Sequence, residues 1–235
     1  MSHIPFTERT VYQSPTVSVS SGNNAFGTNT TIISSAPFFA RKMTVYLNTT
    51  GTAAGAFQVS VGSTVVVPFL VADGPNAFSP PVVSLDLDVP AGASVSVAAA
   101  AYNTTQSYSV TILLWSANKS EAAHFYSNPG ISLSNANFQI GSAGASVWTP
   151  LGSALTLPAR SVRLYQNQNN SAFTYSFGFG PNSSSITTII NGASIIGNSV
   201  YTWCVDEIQS FIPAGNILYA QQSFSGGAFW PLVKH

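Results

Sequence analysis

The sequence predicts an all-β chain made of two tandem antiparallel β-sandwich domains, immunoglobulin-like or jelly-roll in topology. Three observations predict it. Apolar and polar residues alternate with period two along one segment after another, as in strands with one face in a core. Clusters of Gly, Pro and Asn punctuate those segments at short intervals. Blocks of sequence recur in the same order in the two halves of the chain.

The alternation assigns the strands in turn. Met43, Val45 and Leu47 point one way, and Lys42, Thr44 and Asn48 the other. Phe57, Val59 and Val61 alternate with Gln58, Ser60 and Gly62, and Tyr108, Val110, Ile112 and Leu114 alternate with Ser107, Ser109 and Thr111. Phe173, Tyr175 and Phe177 repeat the pattern in the second half. The breaks fall at Ser21-Gly22-Asn23-Asn24, Gly51 to Gly55, Asp73-Gly74-Pro75-Asn76 and Gly180-Pro181-Asn182. Roughly seven or eight short strands per half result, the signature of a sandwich.

The repeat sets the organisation. Thr16 to Ser20 resembles Gly130 to Ser134; Ala40-Arg41-Lys42-Met43-Thr44-Val45-Tyr46 reads against Ala159-Arg160-Ser161-Val162-Arg163-Leu164-Tyr165. Ala56 to Gly62 reads against Ala172 to Gly178, and Val89-Pro90-Ala91-Gly92 against Ile212-Pro213-Ala214-Gly215. The offset drifts from about 114 to about 123 residues, as expected when loops vary and strands do not. The expected boundaries are residues 1–116 for a first sandwich with an N-terminal arm, 117–129 for a linker, and 130–235 for a second sandwich. Within the linker, Ser120 to Tyr126 is expected to form one or two helical turns capped by Ser120 and broken by Asn128-Pro129-Gly130. The two Pro-Ala-Gly sequences read as turns leading into strands.

Composition narrows the function. The 235 residues carry seven basic and seven acidic side chains, 6% charged in all, for a formal net charge of zero. That argues against a nucleic-acid partner, an acidic tail and a coiled coil. A hydrophobic content of 45%, with 12% aromatics, is enough for real cores. The single cysteine, Cys204, rules out an internal disulfide and zinc sites made of several thiolates. The longest apolar runs, Val65 to Ala72 and Val97 to Tyr102, are too short to span a bilayer as helices, so no membrane partner is expected. Met1 to Pro5 does not read as a secretory signal, so synthesis in a host cytoplasm is expected. The Asn-x-Ser/Thr sequons, such as those at Asn29, Asn103 and Asn182, then read as unglycosylated.

Candidate chemistry is sparse. His3, His124 and His235 are far apart in sequence, and no nucleophile elbow, metalloprotease helix or phosphate loop is present. Asp86 and Asp88 project from one face of a strand, roughly 7 Å apart, a spacing compatible with calcium or with a glycosidase pair. The plainer reading is two solvent-facing acids, because aligning the Pro-Ala-Gly turns puts Gln209 and Phe211 opposite them. Arg41 and Arg160, the charges matched between the halves, read either as guanidinia bonded to a carboxylate or carbonyls in their own domain or as anchors at a protein–protein contact. Trp115, Trp148, Trp203, Trp230 and the loop Gln166 to Asn170 are the candidates for a sugar, against an ordinary role in core and turn. No cofactor and no catalytic residue is expected, and the chain reads as not an enzyme.

The passage Pro37 to Thr52, with its Ala40-Arg41 step into a hydrophobic strand and a Thr/Gly-rich turn before the alternating strand Ala56 to Val61, resembles a pattern in structural proteins of tailed bacteriophages. The Val89 to Gly92 turn is similar too. The resemblance covers roughly residues 36–115 and, more faintly, 155–233. It implies a non-enzymatic virion protein, a capsid decoration, head fibre or minor tail protein on the particle exterior. Its implied partners are other virion proteins and repeated copies of itself. The alternatives are a lectin or adsorption module that takes a host-surface glycan, and a capsid-shell protein of the double jelly-roll kind.

Overall fold

The computed structural model describes residues 10–49, 55–72, 82–116, 125–129, 133, 140–142, 146–168, 173–195, 202–223 and 228–235. The described residues are strands and connections, with no helix among them. The N-terminal half contributes β1 (Val11–Gln13), β2 (Val17–Asn23), β3 (Thr30–Ile33), β4 (Ala40–Thr49), β5 (Gly55–Val61), β6 (Thr64–Ala72), β7 (Val82–Val89), β8 (Val95–Ala101) and β9 (Ser107–Ser116). The C-terminal half contributes β10 (Tyr126–Ser127), β11 (Ile140–Ser142), β12 (Thr149–Pro150), β13 (Ser161–Gln168), β14 (Phe173–Asn182), β15 (Ser185–Ile195), β16 (Thr202–Ile208), β17 (Ile217–Gln222) and β18 (Ala228–Lys234).

In the N-terminal half, β2-β9-β4-β7 pair in that order, and so do β3-β8-β5-β6. This is the interleaved order of a jelly roll, two Greek keys wound into facing sheets, and it decides against the immunoglobulin-like alternative. Strand β2 serves both sheets: Val17–Ser20 pair antiparallel with β9, and Ser21–Asn23 pair parallel with Ala99–Ala101 of β8. The sheets therefore join into one nearly closed wrap. Gly22 sits at this corner, where a Cβ would lie 2.3 Å from the Ala25 carbonyl oxygen.

The C-terminal half pairs as β11-β18-β13-β16 and β12-β17-β14-β15, the same two orders. The likeness extends to single residues. Ala40 pairs with Val89, and Ala159 bridges Ile212. The Gly92 amide donates to the Ala36 carbonyl and the Gly215 amide to the Leu155 carbonyl, each at 2.8 Å. Both glycines lie at positive φ, 82° and 85°, and so close the two Pro-Ala-Gly turns that lead into β8 and β17.

The period-two reading places the core side chains, but the opposite faces are not all open to water, since Thr44 and Ser60 are buried as well. Met43, Val45, Leu47, Phe57, Val59, Tyr108, Val110, Ile112 and Leu114 form the first core, where the Phe57 and Tyr108 rings meet edge-on at 4.7 Å. Val162, Leu164, Tyr175, Phe177, Phe229 and Val233 form the second. Strand β8 is buried along its whole length, which explains its unbroken run of small apolar residues from Ala98 to Ala101. Its Ala100, with Ala56 and Phe69, faces Trp230 of the C-terminal half. Alternation along β18 directs Phe229 and Val233 into the second core and sends Leu232, from the opposite face, into the first.

Most of the short helix expected over Ser120 to Tyr126 lies outside the described residues; its last residue, Tyr126, is instead extended and with Ser127 forms strand β10, paired with Lys234 and Val233 of β18. Tyr126 is pinned there because its buried hydroxyl accepts the Asp86 amide at 2.9 Å.

Candidate interaction site

The outer face of β7 carries Ser84, Asp86 and Asp88, because Val83, Leu85, Leu87 and Val89 occupy its core side. Each polar group on that face has a partner. Asp88 pairs with Arg41 at 3.2 Å, and Asp86 with Lys234 of β18 at 2.8 Å. The Ser84 carbonyl accepts from Arg163 Nη1 at 2.8 Å, while Nε and Nη2 of the same guanidinium donate to Glu207 Oε2 at 3.1 and 2.7 Å. The two aspartates thus share a face, as the alternation implies, but each is neutralised by a different cation. Among the described residues no three His, Cys, Asp or Glu side chains gather as a metal site would require.

Arg41 and Arg160, matched in sequence, have different surroundings. Arg41 is largely buried against Asp88. Arg160 is exposed, and its backbone amide donates to the Lys234 carbonyl at 2.8 Å. The reason lies on the facing strand. Asp88 precedes Val89, the partner of Ala40, and Phe211 precedes Ile212, the partner of Ala159. Where the first half places a carboxylate opposite its arginine, the second places a phenylalanine that is 67% exposed.

Around this exchange lies a recess of about 410 Å³, lined by Phe125, Leu157, Pro158, Arg160, Phe211 and His235. Its walls are apolar apart from the guanidinium and the imidazole. Phe125 and Leu157 are each 45% exposed, so the recess presents a continuous apolar surface to solvent. One wall is fixed in place. The His235 ring stacks on Phe125 at 4.7 Å, meets Ser127 Oγ through Nε2 at 2.6 Å, and meets the Pro158 carbonyl through Nδ1 at 3.0 Å. A carbonyl only accepts, so Nδ1 carries the proton.

Trp115 donates to Thr44 Oγ1 at 3.2 Å, with Lys42 Nζ 5.6 Å from its ring centroid; Trp230 is buried between the halves; Trp148 is half-buried. The backbone of Cys204 lies in β16, but its side chain and that of Trp203 fall outside the described residues, as do His3 and His124. Gln166 to Gln168 belong to β13, and the rest of that loop lies outside. Among the described residues no helix is long and apolar enough to cross a membrane. Phe125, Leu157, Phe211 and His235 were not singled out in the sequence as a group. The alignment of Asp88 with Phe211 ahead of the two Pro-Ala-Gly sequences was the available signal.

No protein-family model matches the chain, and no curated protein matches it. Solved structures do. The major capsid protein P2 of Bacteriophage PM2 matches with a TM-score of 0.45 at 8% identity, over 96% of both chains. PNGase F, a glycosylasparaginase from Flavobacterium meningosepticum, matches with a TM-score of 0.39 at 7% identity, again over 96% of both. The PBSX exported protein XepA matches with a TM-score of 0.25 at 10% identity, over 96% of this chain and 86% of its own. None of them carries a residue role to this chain. The sequence reading excluded an enzyme, but enzymes stand beside a capsid protein among the matches, and that exclusion is withdrawn.

Proposed function

We propose that the chain is a structural protein of a phage particle, and within that class a shell subunit of the double jelly-roll kind. The observation that carries this reading is the pair of sheet sets wound in one order and locked together by Trp230, Leu232, Lys234 and Arg163. Jelly rolls serve as capsid modules, and two of them fixed in one chain make a rigid building block. The matching pairs Ala40–Val89 and Ala159–Ile212 support a tandem duplication as its origin, with residues 1–116 and 130–235 as its two domains and β10 added to the second from the linker between them. A shell role is favoured over the decoration and tail roles because the two modules pack side by side, so neither projects freely. The scarcity of charge suits close packing of identical subunits, which then repel one another little. The recess around Phe211 supplies exposed apolar surface of the kind found at subunit contacts.

Light scattering of the purified chain over a wide concentration range tests the reading. A defined closed oligomer, or larger assemblies visible by electron microscopy, is the expected result. A strict monomer at every concentration overturns it.

A further inference from the structure

The Phe211 recess has a chemistry that the shell reading does not use. Among the described residues, Arg41, Arg163 and Lys234 pair with carboxylates, and Lys42 lies over an indole. Arg160 stands differently: it is exposed, and its carboxylate counterpart in the equivalent pairing is replaced by Phe211. A cation set into an apolar wall is matched by a ligand that brings both a hydrophobic group and an anion.

We propose that the recess is a docking site for an extended peptide segment of a neighbouring protein, in which an aromatic or aliphatic residue is followed two positions later by Asp or Glu. In an extended chain, residues i and i+2 project from the same side, roughly 7 Å apart. The first enters the space between Phe211, Leu157 and the Phe125–His235 stack, while the second reaches the Arg160 guanidinium. The incoming carboxylate restores the pairing that Asp88 gives Arg41 in the N-terminal half. The apolar lining disfavours a sugar, whose hydroxyl groups would find few partners there. The fixed imidazole means that little ordering is needed on binding.

The proposal rests on the reading of the chain as a subunit that contacts neighbours, and the test separates the two. The probe is a labelled peptide Ile-Pro-Phe-Thr-Glu, a stretch this sequence carries as residues 4–8, titrated against the full chain by fluorescence anisotropy. Saturable binding is expected. Replacing the peptide's Glu by Gln should weaken it by about tenfold or more, as should Arg160→Gln in the protein, with no further loss when both are combined. The peptide change leaves the protein untouched, so misfolding cannot imitate it. Equal affinity for the Glu and Gln peptides, or no binding at roughly millimolar peptide, overturns the proposal. Self-association without peptide binding removes the docking site and leaves the shell reading standing. Peptide binding by a strict monomer does the reverse.

Discussion

Replacing Tyr126 by phenylalanine should weaken the protein at neutral pH and make it less sensitive to alkali. The hydroxyl accepts the Asp86 amide at 2.9 Å across the contact between the halves. Without it a partly buried donor loses its acceptor, which costs roughly 1–2 kcal/mol. Burial pushes the Tyr126 hydroxyl up to about 12, and burial does the same for Tyr108, whose hydroxyl accepts from Gln106 Nε2. In the unfolded chain tyrosine ionises near about 10. Below that pH both states hold the neutral form and the contribution of each tyrosine is fully present. Between about 10 and about 12 the unfolded chain ionises first, so stability falls by roughly 2–3 kcal/mol per buried tyrosine. Urea unfolding at intervals across this window should show a loss about half as large in Tyr126→Phe as in the wild type. The ultraviolet absorbance of tyrosinate should rise late for the two buried rings. An identical alkaline loss in the variant would refute the burial argument, and an unchanged urea midpoint at neutral pH would refute the hydrogen-bond argument.

Two further outcomes test the paired turns and the exchanged site. Gly92→Ala and Gly215→Ala should each lower stability by roughly 1–2 kcal/mol, because both positions hold positive φ while the space beside them is open. Their effects should add in urea unfolding of the double variant, and a neutral result at either would contradict the backbone assignment. Phe211→Asp places a carboxylate opposite Arg160 as Asp88 stands opposite Arg41; unfolding should show stability kept or slightly raised, while anisotropy shows the peptide no longer binding. Undiminished peptide binding in this variant would mean that Arg160 is not where the ligand's charge goes.

Much of the fold was legible because it depends on local pattern. Met43-Val45-Leu47 and Tyr108 to Leu114 show their core faces directly by alternation, and the Pro-Ala-Gly turns announce the strands after them. The choice between immunoglobulin-like and jelly-roll topology was not legible, because it depends on which distant strands pair, such as β2 with both β9 and β8. Asp86 could be placed on an outward face but not given its partner, since Lys234 lies 148 residues away. Tyr126 read as the end of a short helix, yet its strand pairing with Lys234 and the Asp86 amide outweigh that local preference. For Arg41 and Arg160 the sequence likeness was real but not sufficient. Their different environments follow from the facing residue, Asp88 or Phe211, roughly 50 residues downstream in each half.

The last strand, β18, has a consequence for synthesis. Leu232 completes the first core, and Trp230 covers the face formed by Ala56, Phe69 and Ala100. On the ribosome, the N-terminal sheets emerge on the order of ten seconds before β18 does. During that interval the nascent chain holds an uncovered apolar wall and lacks one of the side chains of its own core. Exposed apolar surface of that kind favours aggregation, so the N-terminal half is at its most vulnerable before the last seven-residue strand has left the ribosome.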